Sequence, residues 1–297
     1  MNRYLIFRTD RIGDFLLTLI LIKNIKRNDK DSHISVICSK KNYDYIKSFN
    51  LVDKAYLFKN DYINKFKLIN ELRKSVFKYS IIHDGKKRSF VINLFLKKIK
   101  TLNVNNNNIK ISHIKKIKKI IKIMNFNFKD TDLNILENRD HKFKHLNRLN
   151  YIILHYDEKW SNKTYIKSYN NIEPSYTQLF SFLSDLRLKF DLHVIVTTGI
   201  KPPILLDTVF SKVVDKNIEF LKNLNFFELE YLVSNSKLLI SCHGSISHIA
   251  AAHKIKQIDI IDINTKNPYI NWTEHFRNYF SLYRKDFINL SNQILNL

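Results

Sequence analysis

The stretch ISCHGSISHIAAA, residues 240–252, decides how this chain folds. An apolar run ends at Ser241, one glycine turns the chain at Gly244, and a helix of small residues leaves the turn. The stretch RTDRIGDFLL (8–17) has the same arrangement around Gly13, with a strand before it and an apolar helix after it. The chain holds only four glycines in 297 residues, where average usage of about 7% would give roughly twenty. A sequence so poor in glycine keeps it where a Cβ is not tolerated, at φ > 0 or where the backbone is pressed against a ligand. Two such turns, one near the N-terminus and one in the last quarter, predict two α/β halves that each offer a loop to a shared cleft.

Working outward from the turns, strands are expected at 3–8, 33–38, 55–58 and 80–83, and helices from Asp14, around 40–49 and over 62–77. In the first helix Phe15, Leu16, Leu19, Ile22 and Ile25 share a face, closed by Lys23, Lys26 and Arg27. NVNNNN (103–108) reads as a low-complexity loop, and the polar segment 137–150 as the interdomain connection. The second half restarts with strands at 151–156, 193–199, 237–241 and 257–262, interleaved with helices at 176–189, from Phe226 and at 246–253. Two helical stretches are expected after Thr273. Strand and helix alternating in this way mark a parallel sheet covered on both faces. Length suits two domains of roughly 150 residues, expected at 1–146 and 147–297.

Composition narrows the function. No stretch approaches the ~20 apolar residues of a membrane-spanning helix, and the opening residues lack the pattern of a signal peptide. Two cysteines, Cys38 and Cys242, provide no disulfide framework or zinc quartet. A reduced cytoplasmic setting is the expectation. Fifty basic residues against 27 acidic give a formal charge of +23, a field that attracts polyanions. Richness in Lys, Asn and Ile, residues with A/T-rich codons, offers a compositional source for part of that charge. HIKKIKKIIKIMNF (113–126) has Ile114, Ile117, Ile121 and Met124 at helical spacing. It reads either as an amphipathic surface helix or as a basic interfacial helix in peripheral contact with an anionic membrane.

Chemistry concentrates at the two turns. A helix opening at Ser245 presents unpaired amides and about half a positive charge, with the hydroxyls of Ser245 and Ser247 beside them, and reads either as a phosphate seat or as an ordinary serine-capped helix after a strand. Asp14, directly after Gly13, either meets the helix dipole or serves as general base on an acceptor hydroxyl. Arg8 and Arg11 flank it, placed for phosphate or an anionic acceptor. Cys242 and His243 are adjacent, so a thiol dyad is disfavoured. The histidines His243, His248 and His253 form no metal motif, and Asp29-Lys30-Asp31 and Asp130-Thr131-Asp132 lie in polar connections. No metal site is expected.

These residues resemble a family. RTDRIGDFLLTLILIKNIKRN (8–28) is similar to the N-terminal motif of the ADP-heptose–lipopolysaccharide heptosyltransferases, and SCHGSISHIAAAHKI (241–255) to their C-terminal motif. LHYDEKW (154–160) resembles the segment that carries their lysine. The resemblance implies a GT-B fold, with two Rossmann-like domains of mostly parallel sheets facing across a cleft. The acceptor would lie on the N-terminal side and the nucleotide sugar on the C-terminal side. It implies inverting glycosyl transfer with no metal and no cofactor beyond the donor substrate. Asp14 would be the catalytic base, with Gly13 beside it. Lys159 would sit near the donor phosphates, the diphosphate on His243, Gly244, Ser245 and Ile246, and His248 in support. The acceptor would be lipopolysaccharide or another surface glycan or glycolipid. This chain departs from the family's Asp-Thr-Gly or Asp-Ser-Gly turn in having Cys-His-Gly-Ser, and it lacks the usual proline in the helix after Gly-Asp. ADP-heptose is therefore one candidate donor among nucleotide sugars. A basic nucleic-acid-binding protein and a noncatalytic transferase-like binding protein are the competing readings.

Overall fold

The computed structural model describes residues 1–103, 111–129, 143–161, 170–199, 202–263 and 266–297, with backbone alone at 147 and 266–268. The chain divides into two compact units, Met1–Glu137 and Asn138–Leu297.

In the first unit five parallel strands, β1 (Arg3–Arg8), β2 (His33–Cys38), β3 (Lys54–Leu57), β4 (Phe77–Ile82) and β5 (Lys98–Asn103), stand in the order β3-β2-β1-β4-β5. Helices α1 (Ile12–Asn28), α2 (Tyr43–Lys47), α3 (Tyr62–Leu72), α4 (Lys87–Leu94) and α5 (His113–Ile123) connect or cover them. In the second unit six parallel strands stand in the order β11-β10-β9-β6-β7-β8. They are β6 (Tyr151–His155), β7 (His193–Thr197), β8 (Ile218–Leu221), β9 (Leu238–Cys242), β10 (Lys256–Ile261) and β11 (Tyr279–Tyr283). Their helices are α6 (Tyr176–Phe190), α7 (Ile204–Phe210), α8 (Phe226–Asn235), α9 (Ser245–Ala252), α10 (Lys266–Thr273) and α11 (Phe287–Leu295). Each sheet starts in its middle, winds outward one way, then returns to the other side of its first strand. That is Rossmann-like double winding, and it confirms the expected α/β class with parallel sheets.

The inner strands are apolar along their length, as a sheet covered on both faces requires. Leu5, Ile6 and Phe7 of β1 are fully buried, as are Ile152, Ile153 and Leu154 of β6. In the second unit one core joins β6, β7, β9 and β10 to the apolar faces of α6 and α11.

Several expectations are corrected. The first helix is covered on nearly every side rather than along one face: every residue from Phe15 to Ile22 is buried, Thr18 included. Part of that cover is α5, which packs on α1 and buries Ile114, Ile117, Ile120 and Ile121. The apolar face that an interfacial helix would insert into a membrane is thus packed on α1, and α5 turns Lys115, Lys118, Lys119 and Lys122 outward. No described helix is long and apolar enough to cross a membrane. The helix expected over 62–77 stops at Leu72, because β4 starts at Phe77. The tail holds one strand, β11, and one helix, α11, where two helices were expected: the aromatic-rich YFSLY pairs with β10 as an edge strand. The loop at 104–108, the connection at 137–142 and Asp130-Thr131-Asp132 lie outside the described residues.

Candidate active site

All four glycines follow the carboxyl ends of strands: Gly13 after β1, Gly85 after β4, Gly199 after β7 and Gly244 after β9. Double winding opens a crevice where the strand order reverses, and ligands of such sheets bind outside the carboxyl ends there. The reversal falls between β1 and β4 in the first unit and between β6 and β9 in the second. Three of the four glycines stand at these two places.

At the second reversal the loop after β6 meets the turn after β9. Trp160 anchors the loop: it is fully buried, its ring stacks on Tyr156 at 4.9 Å, and its indole N–H donates to the His155 carbonyl at 3.0 Å. Arg284, buried just past β11, donates to the carbonyls of Lys159 (2.7 Å) and Asn170 (2.9 Å). The buried Asp157 accepts the Lys159 amide at 3.1 Å and pairs with its ammonium at 2.8 Å. His155 lies behind. Burial holds its imidazole down at about 4 against the opposing pull of Asp157, so it is neutral at pH 7, with Nδ1 3.0 Å from Thr197 Oγ1. The Lys159 ammonium ends over Gly244, where a Cβ would lie 2.5 Å from Nζ. Gly244 has extended backbone (φ −177°). The space a Cβ would take there is occupied by the cation, and the backbone conformation makes no demand for glycine.

The turn is braced from below by Asp259 in the middle of β10, whose residue is wholly inaccessible. Its carboxylate accepts from His243 Nδ1 (2.5 Å), Ser247 Oγ (2.8 Å) and Tyr279 OH (3.0 Å). Burial and the carboxylate push the Tyr279 phenol above its ordinary range, so it stays a donor. Ser247 Oγ in turn accepts the Gly244 amide at 3.2 Å, and the Ser247 amide donates to the Gly244 carbonyl at 3.1 Å. Those bonds leave the amides of Ser245 and Ile246, the first two of α9, without an acceptor among the described residues. Ser247 therefore corrects one expectation: its hydroxyl is buried and spent on the turn, not offered to a ligand. His248 is buried, with its ring edge-on to His243, Trp272 and Phe276. Burial pushes the Cys242 thiol up to about 12, which rules out a resting thiolate.

At the first reversal Asp14 is the third residue of α1 and accepts the Arg11 amide at 3.1 Å. Burial raises its carboxyl above the usual range, while the Arg8 guanidinium pulls the other way. A carboxylate tuned upward is a stronger base. Arg8, expected to meet phosphate or an anionic acceptor, is turned into the fold. It is buried, donating through Nε to Thr18 Oγ1 (2.7 Å) and through Nη1 to Asp10 (2.9 Å). Gly13 is buried, and Arg11 is exposed. Sequence reasoning missed two cations beside them. Lys86, in the turn after β4, and Arg88, in the first turn of α4, donate to the Thr9 carbonyl at 3.1 and 3.0 Å. Gly85 makes that turn with φ 60°. The signal was present, since HDGKKRS repeats the strand–glycine–helix arrangement.

Among the described residues no group of three or more His, Cys, Asp or Glu comes together as a metal site. Asp29, of the Asp-x-Asp pair 29–31, instead accepts from Tyr4 OH (2.6 Å) and Asn2 (2.8 Å). It lies at the amino ends of the strands.

No family model matches the chain, and no curated protein matches it in sequence. Solved structures do. E. coli heptosyltransferase WaaC with ADP superposes with a TM-score of 0.71 at 10% identity, over 99% of both chains. E. coli ADP-heptose lps heptosyltransferase II gives 0.72 at 11% identity, covering 100% of this chain and 97% of that one. A glycosyl transferase family 9 protein from Veillonella parvula gives 0.67 at 11% identity, covering 99% and 89%. At such identities the likeness is one of fold. The chain has the GT-B fold of the heptosyltransferases whose motifs its two glycine turns resemble.

Proposed function

We propose that the protein is a glycosyltransferase that moves a sugar from a nucleoside-diphosphate donor to a hydroxyl of a surface glycan or glycolipid. The observation that carries this reading is the Lys159 ammonium lying over Gly244 at the open end of α9. A fixed cation and two free amides at the strand-order reversal make a seat for a diphosphate. Ionised, Asp14 would take the acceptor proton as its oxygen attacks the anomeric carbon. The bond to the diphosphate breaks with its electron pair going to the phosphate oxygen. Displacement from the face opposite the leaving group inverts the anomeric centre. Base assistance of this kind is worth 10²–10⁴-fold, or about 3–5 kcal/mol of barrier. Lys159 and the α9 amides would meet the charge developing on the diphosphate without a metal. The net charge of +23 favours an anionic acceptor such as lipopolysaccharide. ADP-heptose is the first donor to try, because a similar structure holds ADP.

The test supplies nucleotide sugars together with a lipid-linked glycan extract and follows nucleoside diphosphate release. Asp14→Asn should lower release by at least about a hundredfold while leaving donor affinity within a few-fold of wild type. Equal release from the variant removes Asp14 from the mechanism.

A further inference from the structure

Where the resembling family has an acidic residue in the turn, this chain has His243, and the structure gives that histidine an acid of its own. His243 Nδ1 lies 2.5 Å from Oδ2 of Asp259, a residue with no accessible surface. A carboxylate can only accept, so Nδ1 carries a proton and the tautomer is fixed. The working nitrogen is Nε2, which has no hydrogen-bond partner among the described residues. The ring is 12% exposed and packs edge-on to Tyr269 at 4.6 Å. In the neutral ring Nε2 bears a lone pair, which repels a phosphate oxygen. In the imidazolium it bears a second N–H, which donates to one.

We propose that diphosphate binding at this turn is coupled to uptake of a proton by His243, with Asp259 as the positioning residue that holds the imidazolium. The inference rests on the donor-site reading above and adds to it a protonation state and a residue from β10. Every packed element supplies a neighbour. Asp259 on β10 favours the charged ring; Tyr279 on β11 shares that carboxylate; His248 on α9 and Tyr269 on α10 pack against the ring. Around the adjacent Cys242 stand Asp157, Lys159 and Arg284. Lys159 and Arg284 are the cations of that neighbourhood, and Asp157 and Asp259 its anions. A bound diphosphate adds negative charge and tips the balance toward the imidazolium.

The experiment titrates ADP, UDP, GDP and CDP into the full-length protein by calorimetry from pH 6 to 8.5, in two buffers of different ionisation enthalpy. Wild type should take up a proton on binding its preferred nucleotide, with affinity falling by up to about tenfold per pH unit once His243 is neutral. His243→Gln should bind more weakly at pH 6 and lose that proton uptake, retaining only the titration of the nucleotide itself. Asp259→Asn should behave like His243→Gln, and the double variant should be no weaker than His243→Gln alone. His243 is near the surface, so its variant keeps the test alive should Asp259→Asn fail to fold. Unchanged affinity and proton uptake in His243→Gln, or losses that simply add in the double variant, overturn the coupling and leave the donor site standing. Wild type that binds none of the four nucleotides overturns both.

Discussion

Gly244→Ala is the sharpest perturbation of the proposed donor site, because one added methyl group meets one charge. The new Cβ would lie 2.5 Å from Lys159 Nζ and 3.6 Å from Cε, but 3.8 Å from the nearest backbone atom, the Cys242 carbonyl oxygen. With φ at −177° alanine fits the backbone without strain. The ammonium must therefore yield, by about 1 Å to reach ordinary contact distance. It is the far end of a flexible side chain with Asp157 at 2.8 Å, so it swings rather than unfolding the loop. Stability should change by less than about 1 kcal/mol. Phosphate binding should change far more: a charge-assisted hydrogen bond contributes about 1.5–3 kcal/mol, so nucleoside diphosphate affinity should fall roughly 10- to 150-fold. Calorimetry with the nucleotide that wild type prefers, beside a thermal melt of both proteins, measures the two effects together. A folded Gly244→Ala protein that binds within twofold of wild type would refute the claim that Lys159 contacts the donor phosphates.

Two further outcomes concern the frame of the site. Burial lowers the His155 imidazole from 6.5 to about 4, so the unfolded chain binds the extra proton first on acidification. Stability held in full above pH 6.5 should be lost progressively down to pH 4, by up to about 3 kcal/mol. Urea melts of wild type and His155→Gln at pH 7, 5.5 and 4.5 check this, and equal pH sensitivity in the two would contradict it. Trp160→Ala removes a fully buried ring and the hydrogen bond to the His155 carbonyl. It should cost about 3–5 kcal/mol in denaturant titrations and release the Lys159 loop. A cost below about 1 kcal/mol would show that the loop is anchored elsewhere.

The parts of the fold that sequence revealed were those in which one signal dominated. Apolar runs located the central strands, and scarce glycine marked the turns after β1 and β9, so Gly13–Asp14 and Gly244–Ser245 were readable; Lys159 came only from the resemblance of LHYDEKW to a family segment. The turn after β4 escaped although HDGKKRS carries the strand–glycine–helix arrangement, because α4 is only eight residues long, too short for its periodicity to stand out. Arg284 carried no local signal, since it acts on carbonyls 114 and 125 positions away in the chain. Asp259 did carry one, an acid between two isoleucines in an apolar strand. Its meaning depends on β9, β10 and β11 lying side by side, which brings His243, Ser247 and Tyr279 to it. The basic amphipathic stretch at 113–126 left two readings open for a similar reason: periodicity defines an apolar face, and only tertiary structure shows that α1 covers it.

The most direct test of the central claim, a nucleotide-sugar seat between the loop after β6 and the turn after β9, is a thermal-shift panel of ADP-, UDP-, GDP- and CDP-sugars on wild type and Lys159→Gln. One donor, at about 100 times its dissociation constant, should stabilise wild type by roughly 2.7 kcal/mol, and the variant much less at the same concentration. Stabilisation by none of the four, or by the same donor equally in both proteins, would contradict it.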